Sequence, residues 1–311
     1  MARPIIIDTD PGQDDAVALL LALASPMELE ILAITTVAGN VPLELTTRNA
    51  LMMVELAGRP EVPVYAGCDR PMIRDLITAE YVHGKTGIDG AETPPPTTSP
   101  ADGHAVEHIV EAVRAHPGLT VCTLGPLTNI GSALQQSPDI AHSIDQIVLM
   151  GGGFFEGGNT TPAAEFNIYV DPHAADIVFR SGIPLVMLPL DVTHKALTSD
   201  RRVDAFKNLG NKSGTATAGM LEFYERYDMG RYGTEGAPLH DPTVIAYLLE
   251  PDLFDGRNCF VQIETESEVT MGMTVVDWWK LTDSKPNCLV INEIDEEGFF
   301  RLLTERIGRL P

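Results

Sequence analysis

Short runs of β-branched and apolar residues recur along the chain with helical stretches between them, and this alternation limits the fold more than any other feature. Arg3–Asp8 (R-P-I-I-I-D) reads as a strand buried on both faces, Asp15–Ala24 as a helix, Leu29–Val37 as a second strand and Leu43–Leu56 as a second helix. Val62–Ala66, Leu119–Leu124, Gln146–Met150 and Pro184–Leu190 continue the strand series. Helices near Ala105–Ala115, Thr128–Gln135 and Pro172–Arg180 fall between them. Strands that read as unbroken apolar runs are covered on both faces, and regular strand–helix alternation joins them in parallel. The expectation is an α/β fold with a single open, mostly parallel central sheet flanked by helices. In such sheets the ligand-handling groups lie on loops beyond the carboxyl ends of the strands.

Two stretches break the pattern. Cys68–Ala101 is rich in Pro, Gly and Thr and contains Y-V-H-G-K-T-G-I-D-G, a loop of a length that usually carries function or stays disordered. From Ser199 to Tyr247 the reading is mainly helical, an insertion packed on the sheet as a cap or as side-by-side helices. A late strand at Cys259–Glu264 and a strand–helix unit at Cys288–Ile307 close the chain, and no repeat or linker divides it. One domain spanning 1–311 is expected.

Acidic residues outnumber basic ones 44 to 21, a formal charge of −23. Such a field repels nucleic-acid phosphates and anionic lipid surfaces, so neither is an expected partner. Ala16–Ala24, the longest apolar run, has nine residues and is too short to span a bilayer. Cys68, Cys122, Cys259 and Cys288 are scattered without metal or disulfide spacing, as in a reducing compartment. With no signal-peptide layout in M-A-R-P-I-I-I-D, a cytoplasmic location is expected.

The first strand runs into Asp8-Thr9-Asp10-Pro11-Gly12-Gln13-Asp14-Asp15, four carboxylates within eight residues at a sharp strand-to-helix turn. Asp14 or Asp15 can cap the next helix, but capping uses only one of the four. A hard cation that takes several carboxylate oxygens accounts for the rest, with Ca²⁺ and Mg²⁺ the natural candidates.

Further motifs follow in order: Thr35-Thr36-Val37-Ala38-Gly39-Asn40, Gly125-Pro126-Leu127-Thr128-Asn129, and Met150-Gly151-Gly152-Gly153 leading to Asn159 and Ala164-Glu165-Phe166-Asn167. Leu190-Asp191-Val192-Thr193-His194-Lys195 and Ala237-Pro238-Leu239-His240-Asp241-Pro242 complete the set. With D-T-D-P-G-x-D-D, this series resembles the inosine–uridine-type nucleoside hydrolases over essentially the whole chain. The carboxy-terminal M-G-M-T-V-V-D-W-W-K-L-T is most similar to the bacterial pyrimidine-specific ribonucleoside hydrolases.

The resemblance implies Ca²⁺ held by Asp10, Asp15, the main-chain carbonyl of Thr128, and Asp241. Asp15 would bind through both oxygens, and Asp8 would tie the turn down. It implies a calcium-coordinated water deprotonated by Asp10, which attacks a sugar whose transition state carries positive charge. Asp14, Asn40, Asn159, Glu165 and Asn167 match residues that bind ribose hydroxyls. Taken alone, Asn159 in G-G-N and Asn167, before a run that reads as a strand, are also ordinary turn residues. His240, beside Asp241, matches the group that assists the leaving base. His83 in V-H-G-x-x-G-x-D-G is similar to a second active-site histidine of the pyrimidine-preferring members. The implied activity is hydrolysis of ribonucleosides to ribose and free base in nucleoside salvage, with uridine and cytidine preferred. The substrate is a small molecule, and the resemblance implies a homotetramer.

His104, His108, His116, His142 and His173 read as surface residues and His194 as structural. Trp278 and Trp279 read as packing or subunit contact, and Tyr224, Tyr227 and Tyr232 as part of a helical lid. A broad-specificity hydrolase of the same family is the nearest alternative. An aspartate-based phosphatase also opens on D-x-D after a first strand, but it needs Thr or Val where Gly12 stands. A non-catalytic nucleoside-binding relative would have lost Asp10, Asp15 or Asp241, and all three are present.

Overall fold

Ile5, Ile6 and Ile7 are all fully buried in β1 (Arg3–Thr9), so successive side chains are covered on both faces of the sheet. The computed structural model describes residues 2–91, 93–232 and 236–311, with the side chains of 225–232 outside that description. After β1 the chain forms α1 (Gln13–Leu23), β2 (Leu29–Thr36), α2 (Leu43–Leu56), β3 (Val64–Ala66), a single turn α3 (Glu80–His83) and α4 (Ala105–Ala115). It continues through β4 (Leu119–Thr123), α5 (Thr128–Gln136), β5 (Ile144–Met150), α6 (Phe166–Val170), α7 (Pro172–Phe179), β6 (Leu185–Leu188) and α8 (Leu190–Thr193). Then come α9 (Asp200–Lys207), α10 (Lys212–Tyr232), α11 (Pro242–Leu249), β7 (Phe254–Cys259), β8 (Val261–Ile263), β9 (Thr274–Val276), β10 (Cys288–Ile294) and α12 (Glu296–Ile307).

Eight strands form one sheet in the order β3-β2-β1-β4-β5-β6-β10-β7, all parallel except the edge strand β7. The chain therefore winds outward from β1 to β3, crosses back, and winds the other way from β4. The order reverses between β1 and β4, which opens a crevice at their carboxyl ends. One helical layer packs α1 against α2, α10, α11 and α12. Every residue of α1 is buried, and its sequence Q-D-D-A-V-A-L-L-L-A-L has no polar face after the first turn.

The expected open, mostly parallel α/β sheet is what forms, and α9, α10 and the start of α11 make the insertion around 199–247 mainly helical. The expected strand at Cys259–Glu264 is different. Cys259 ends β7, and Val261–Ile263 leaves the sheet to pair with β9 in a separate antiparallel ribbon. The polar run F-D-G-R-N-C hides β7 in the sequence because this edge strand is exposed at Asp255, Arg257 and Asn258. Phe166–Val170, aromatic and β-branched, forms a helical turn and not a strand. Glu165 caps it, its side chain accepting from the main-chain N–H groups of Asn167 and Ile168.

Candidate active site

The acid-rich turn sits at the order reversal. Asp10, fully buried, lies just past β1, and its Oδ2 accepts from the Asn40 main-chain N–H at 2.7 Å. Its Oδ1 is buried with no hydrogen-bond partner. A Cβ on Gly39 or on Gly125 would collide with this carboxylate from either side, so both motif glycines serve its close approach. Asp15 is equally buried. Its Oδ1 accepts from Thr9 Oγ1 (2.5 Å) and the Asp10 N–H (3.2 Å), and its Oδ2 from the Gly12 N–H (2.9 Å) and Asn40 Nδ2 (3.1 Å). The Gly12 contact caps α1, as an acid at its third residue can.

Asp241, at the start of α11, closes the cluster from far along the chain. Asp14, Asp15 and Asp241 each offer an oxygen within 4.8 Å of the others. Asp10 stands beside this trio, outside it. Burial and then the nearby Asp15 hold the Asp10 carboxyl well above the usual carboxylate range. Asp241 is raised in the same way by burial, Asp14 and Asp15. Among the described residues no ion pair neutralises Asp10, Asp15 or Asp241. Mutually repelling buried carboxylates with an unengaged oxygen fit a divalent cation, which would supply the missing positive charge.

Two other predicted residues support the turn. Thr128 opens α5, and its hydroxyl donates to Asp171 Oδ2 at 2.8 Å, so the side chain is occupied in holding that loop. Asp8 accepts from Thr35 Oγ1 (2.5 Å) and Asn129 Nδ2 (2.8 Å), linking β1 to β2 and α5, while burial pushes it up to about 7.

Above the acids lies a pocket whose lining includes Asp14, Asn40, His83, Asn159, Glu165, Asn167, His240 and Asp241. Eight of the predicted residues thus meet on one cavity, and Asp10, Asp15 and Thr128 lie buried outside its lining. The amides are half engaged. Asn40 Nδ2 donates to the Asp10 carbonyl and Asp15, and Asn167 Nδ2 donates to the carbonyls of Leu124 (2.6 Å) and Met150 (3.2 Å). Asn159 instead accepts through Oδ1 from the Phe166 N–H at 2.9 Å. Two side-chain carbonyls and one NH₂ remain for a ligand, a mixed set suited to hydroxyls, which both give and accept. Glu165 accepts from the N–H groups of Gly152, Asn167 and Ile168, yet burial outweighs these bonds and pushes it up to about 7.

His240 Nδ1 lies 2.7 Å from Thr193 Oγ1. Burial, then the rings of His194 and His83, hold His240 well below the usual imidazole range. His83, in α3 of the long loop, has Nδ1 2.7 Å from Gln13 Oε1, and burial lowers it to about 3. Gln13 and Thr193 carry no role in the sequence reading. Each lies inside a motif, but their histidine partners are 70 and 47 residues away, a separation that only the fold closes. Tyr224, from α10, is buried on the pocket wall with its ring 5.6 Å from that of His83, while the side chains of Tyr227 and Tyr232 lie outside the described residues. Trp278 packs on Phe154 away from the pocket, Trp279 is exposed, and His194 contacts Glu156.

An acidic floor fit for a cation, half-engaged amides suited to hydroxyls and two histidines thus share one pocket. The family model described as inosine-uridine preferring nucleoside hydrolase matches residues 5–301, and the chain belongs to that family of metal-dependent ribonucleoside hydrolases, which cleave N-glycosidic bonds. It is 54% identical over 309 residues to an uncharacterized protein of Schizosaccharomyces pombe, with 99% of each chain covered. It is 50% identical over 310 residues to the pyrimidine-specific ribonucleoside hydrolase RihA of Photobacterium profundum, again with 99% of each covered. Among solved structures, the purine-preferring ribonucleoside hydrolase from Gardnerella vaginalis superposes with a TM-score of 0.92 at 35% identity, covering 98% of both chains.

Proposed function

We propose that this chain, acting as one domain, hydrolyses pyrimidine ribonucleosides, uridine and cytidine before inosine, in a calcium-dependent reaction of nucleoside salvage. The supporting observation is that His83 and His240 line the same pocket whose floor is the carboxylate cluster. Asp10, Asp15, Asp241 and the Thr128 carbonyl would hold Ca²⁺, which when bound makes water more acidic and grips vicinal hydroxyls.

The chain's own residues do the rest. Asp10, with one oxygen fixed by Asn40 and one unengaged, takes the proton of the attacking water. Asp14, Asn40, Asn159, Glu165 and Asn167 hold the ribose. The acidic floor stabilises positive charge that spreads over the sugar as the N-glycosidic bond opens. His240 and His83 assist the departing base. The pyrimidine preference draws on His83 in V-H-G-x-x-G-x-D-G and on the name carried by the 50%-identical relative. The Gardnerella structure is called purine-preferring, so the fold alone does not choose the base. The family resemblance supports a homotetramer, for which exposed Phe155 and Trp279 offer apolar contact area, and the scattered thiols support a reducing, cytoplasmic compartment.

The test is release of free ribose from uridine, cytidine, inosine and uridine monophosphate, with and without prolonged chelation of calcium. Release from uridine and cytidine that fades on chelation and returns with Ca²⁺ is expected. Dominant inosine cleavage would discard the pyrimidine preference, and phosphate release from the nucleotide would mean that the aspartate cluster has been misread.

A further inference from the structure

Gln13 grips His83 through both ends of its amide. Its Nε2 donates to the main-chain carbonyls of His83 (2.9 Å) and Asp89 (3.1 Å). Two carbonyl oxygens only accept, so the amide nitrogen must face them; the flipped amide would set oxygen against two oxygens. The amide oxygen is therefore the atom 2.7 Å from His83 Nδ1. An amide oxygen has no proton to give, so Nδ1 carries the hydrogen. A neutral imidazole holds one ring proton, which leaves a lone pair on Nε2. That nitrogen has no hydrogen-bond partner among the described residues, and His83 lines the pocket. The ring is also seated from below: a side chain on Gly12 would strike its Nδ1 and Cε1. Burial keeps the ring neutral.

We propose that Gln13 is a positioning residue that fixes His83 as the Nδ1–H tautomer, so that His83 meets the base as a hydrogen-bond acceptor for a ring or amino N–H and not as a proton donor. This rests on the reading above that the base lies against His83; it narrows His83's part to holding and selecting the base, and leaves proton donation to His240.

The experiment is a ¹⁵N spectrum of the histidine rings in the metal-loaded, full-length enzyme, in which protonated and bare ring nitrogens separate, with His83 assigned from His83→Phe. The expected wild-type pattern is Nδ1 protonated and Nε2 bare at neutral pH. Gln13→Leu, which removes the acceptor facing Nδ1, should lose it. A wild-type ring protonated on Nε2 would overturn the proposal. In kinetics, Gln13→Leu should lower kcat/KM for uridine about tenfold, roughly what one lost hydrogen bond costs. The same change made in the His83→Phe background should cost nothing further, and losses that multiply would overturn positioning through His83. The spectrum needs no turnover. If it comes out as expected while His83→Phe leaves uridine turnover unchanged, contact with the base falls and the tautomer assignment stands.

Discussion

The carboxylate of Asp10 occupies a slot between the α-carbons of Gly39 and Gly125, neither of which needs an unusual backbone angle. The requirement is space, and it explains why two distant motifs carry glycine where they do. Asp10→Ala should cut uridine turnover by about two to four orders of magnitude, the range for a lost general base, with Tm unchanged or raised because a buried repelling charge is gone. Turnover within tenfold of wild type would remove the assignment. Gly125→Ala keeps the Asp10 carboxylate but displaces it, and a misplaced group of this kind costs on the order of a hundredfold. His240→Ala should slow uridine hydrolysis far more than hydrolysis of a nitrophenyl riboside, whose leaving group needs no help; equal losses would end the leaving-group role. The acids of the first turn were legible in the sequence because they form one dense run past a strand end, and Asp241 and the amides only through their motifs' resemblance to the family. The amide that orients His83 was not. A single Gln inside an acidic motif says nothing until the fold brings a loop back from 70 residues away.

Among the elements, α1 joins stability to the site: its first turn carries Gln13, Asp14 and Asp15, and the rest of it is core on every side. Leu20 is fully buried there. Leu20→Ala should cost about 2–5 kcal/mol in denaturant unfolding, the usual range for a core truncation, with KM for uridine unchanged in the folded protein. A cost below about 1 kcal/mol would mean that α1 is not packed as described. The same apolar continuity made α1 and the parallel strands readable in the sequence. Two short elements escaped that reading. Edge strand β7 is too polar to stand out, and α6 has the composition of a strand and depends on the Glu165 cap for its helical turn. Local pattern reports burial well, but it does not report which partner will satisfy a backbone N–H.

At the scale of the molecule, the charge of −23 and the buried acids act in the same direction. Burial raises Asp8 from 3.8 and Glu165 from 4.5 to about 7 each, so the fold retains protons that the unfolded chain has released. Wherever the native state binds more protons, stability falls as pH rises. The chelated protein should therefore lose stability between about pH 4 and pH 7 and then level off, by a few kcal/mol for each such group. The proposed calcium would work the opposite way, because carboxylates must be ionised to hold it. At a thousandfold excess over its Kd a ligand adds about 4 kcal/mol, and protons competing for the same oxygens reduce that gain in acid. The rise in Tm on adding calcium should thus be larger at pH 8 than at pH 5. Scanning calorimetry of chelated and calcium-loaded protein at both pH values checks this. An equal rise at the two would mean that buried carboxylates do not hold the ion, and the acidic floor would then need another explanation.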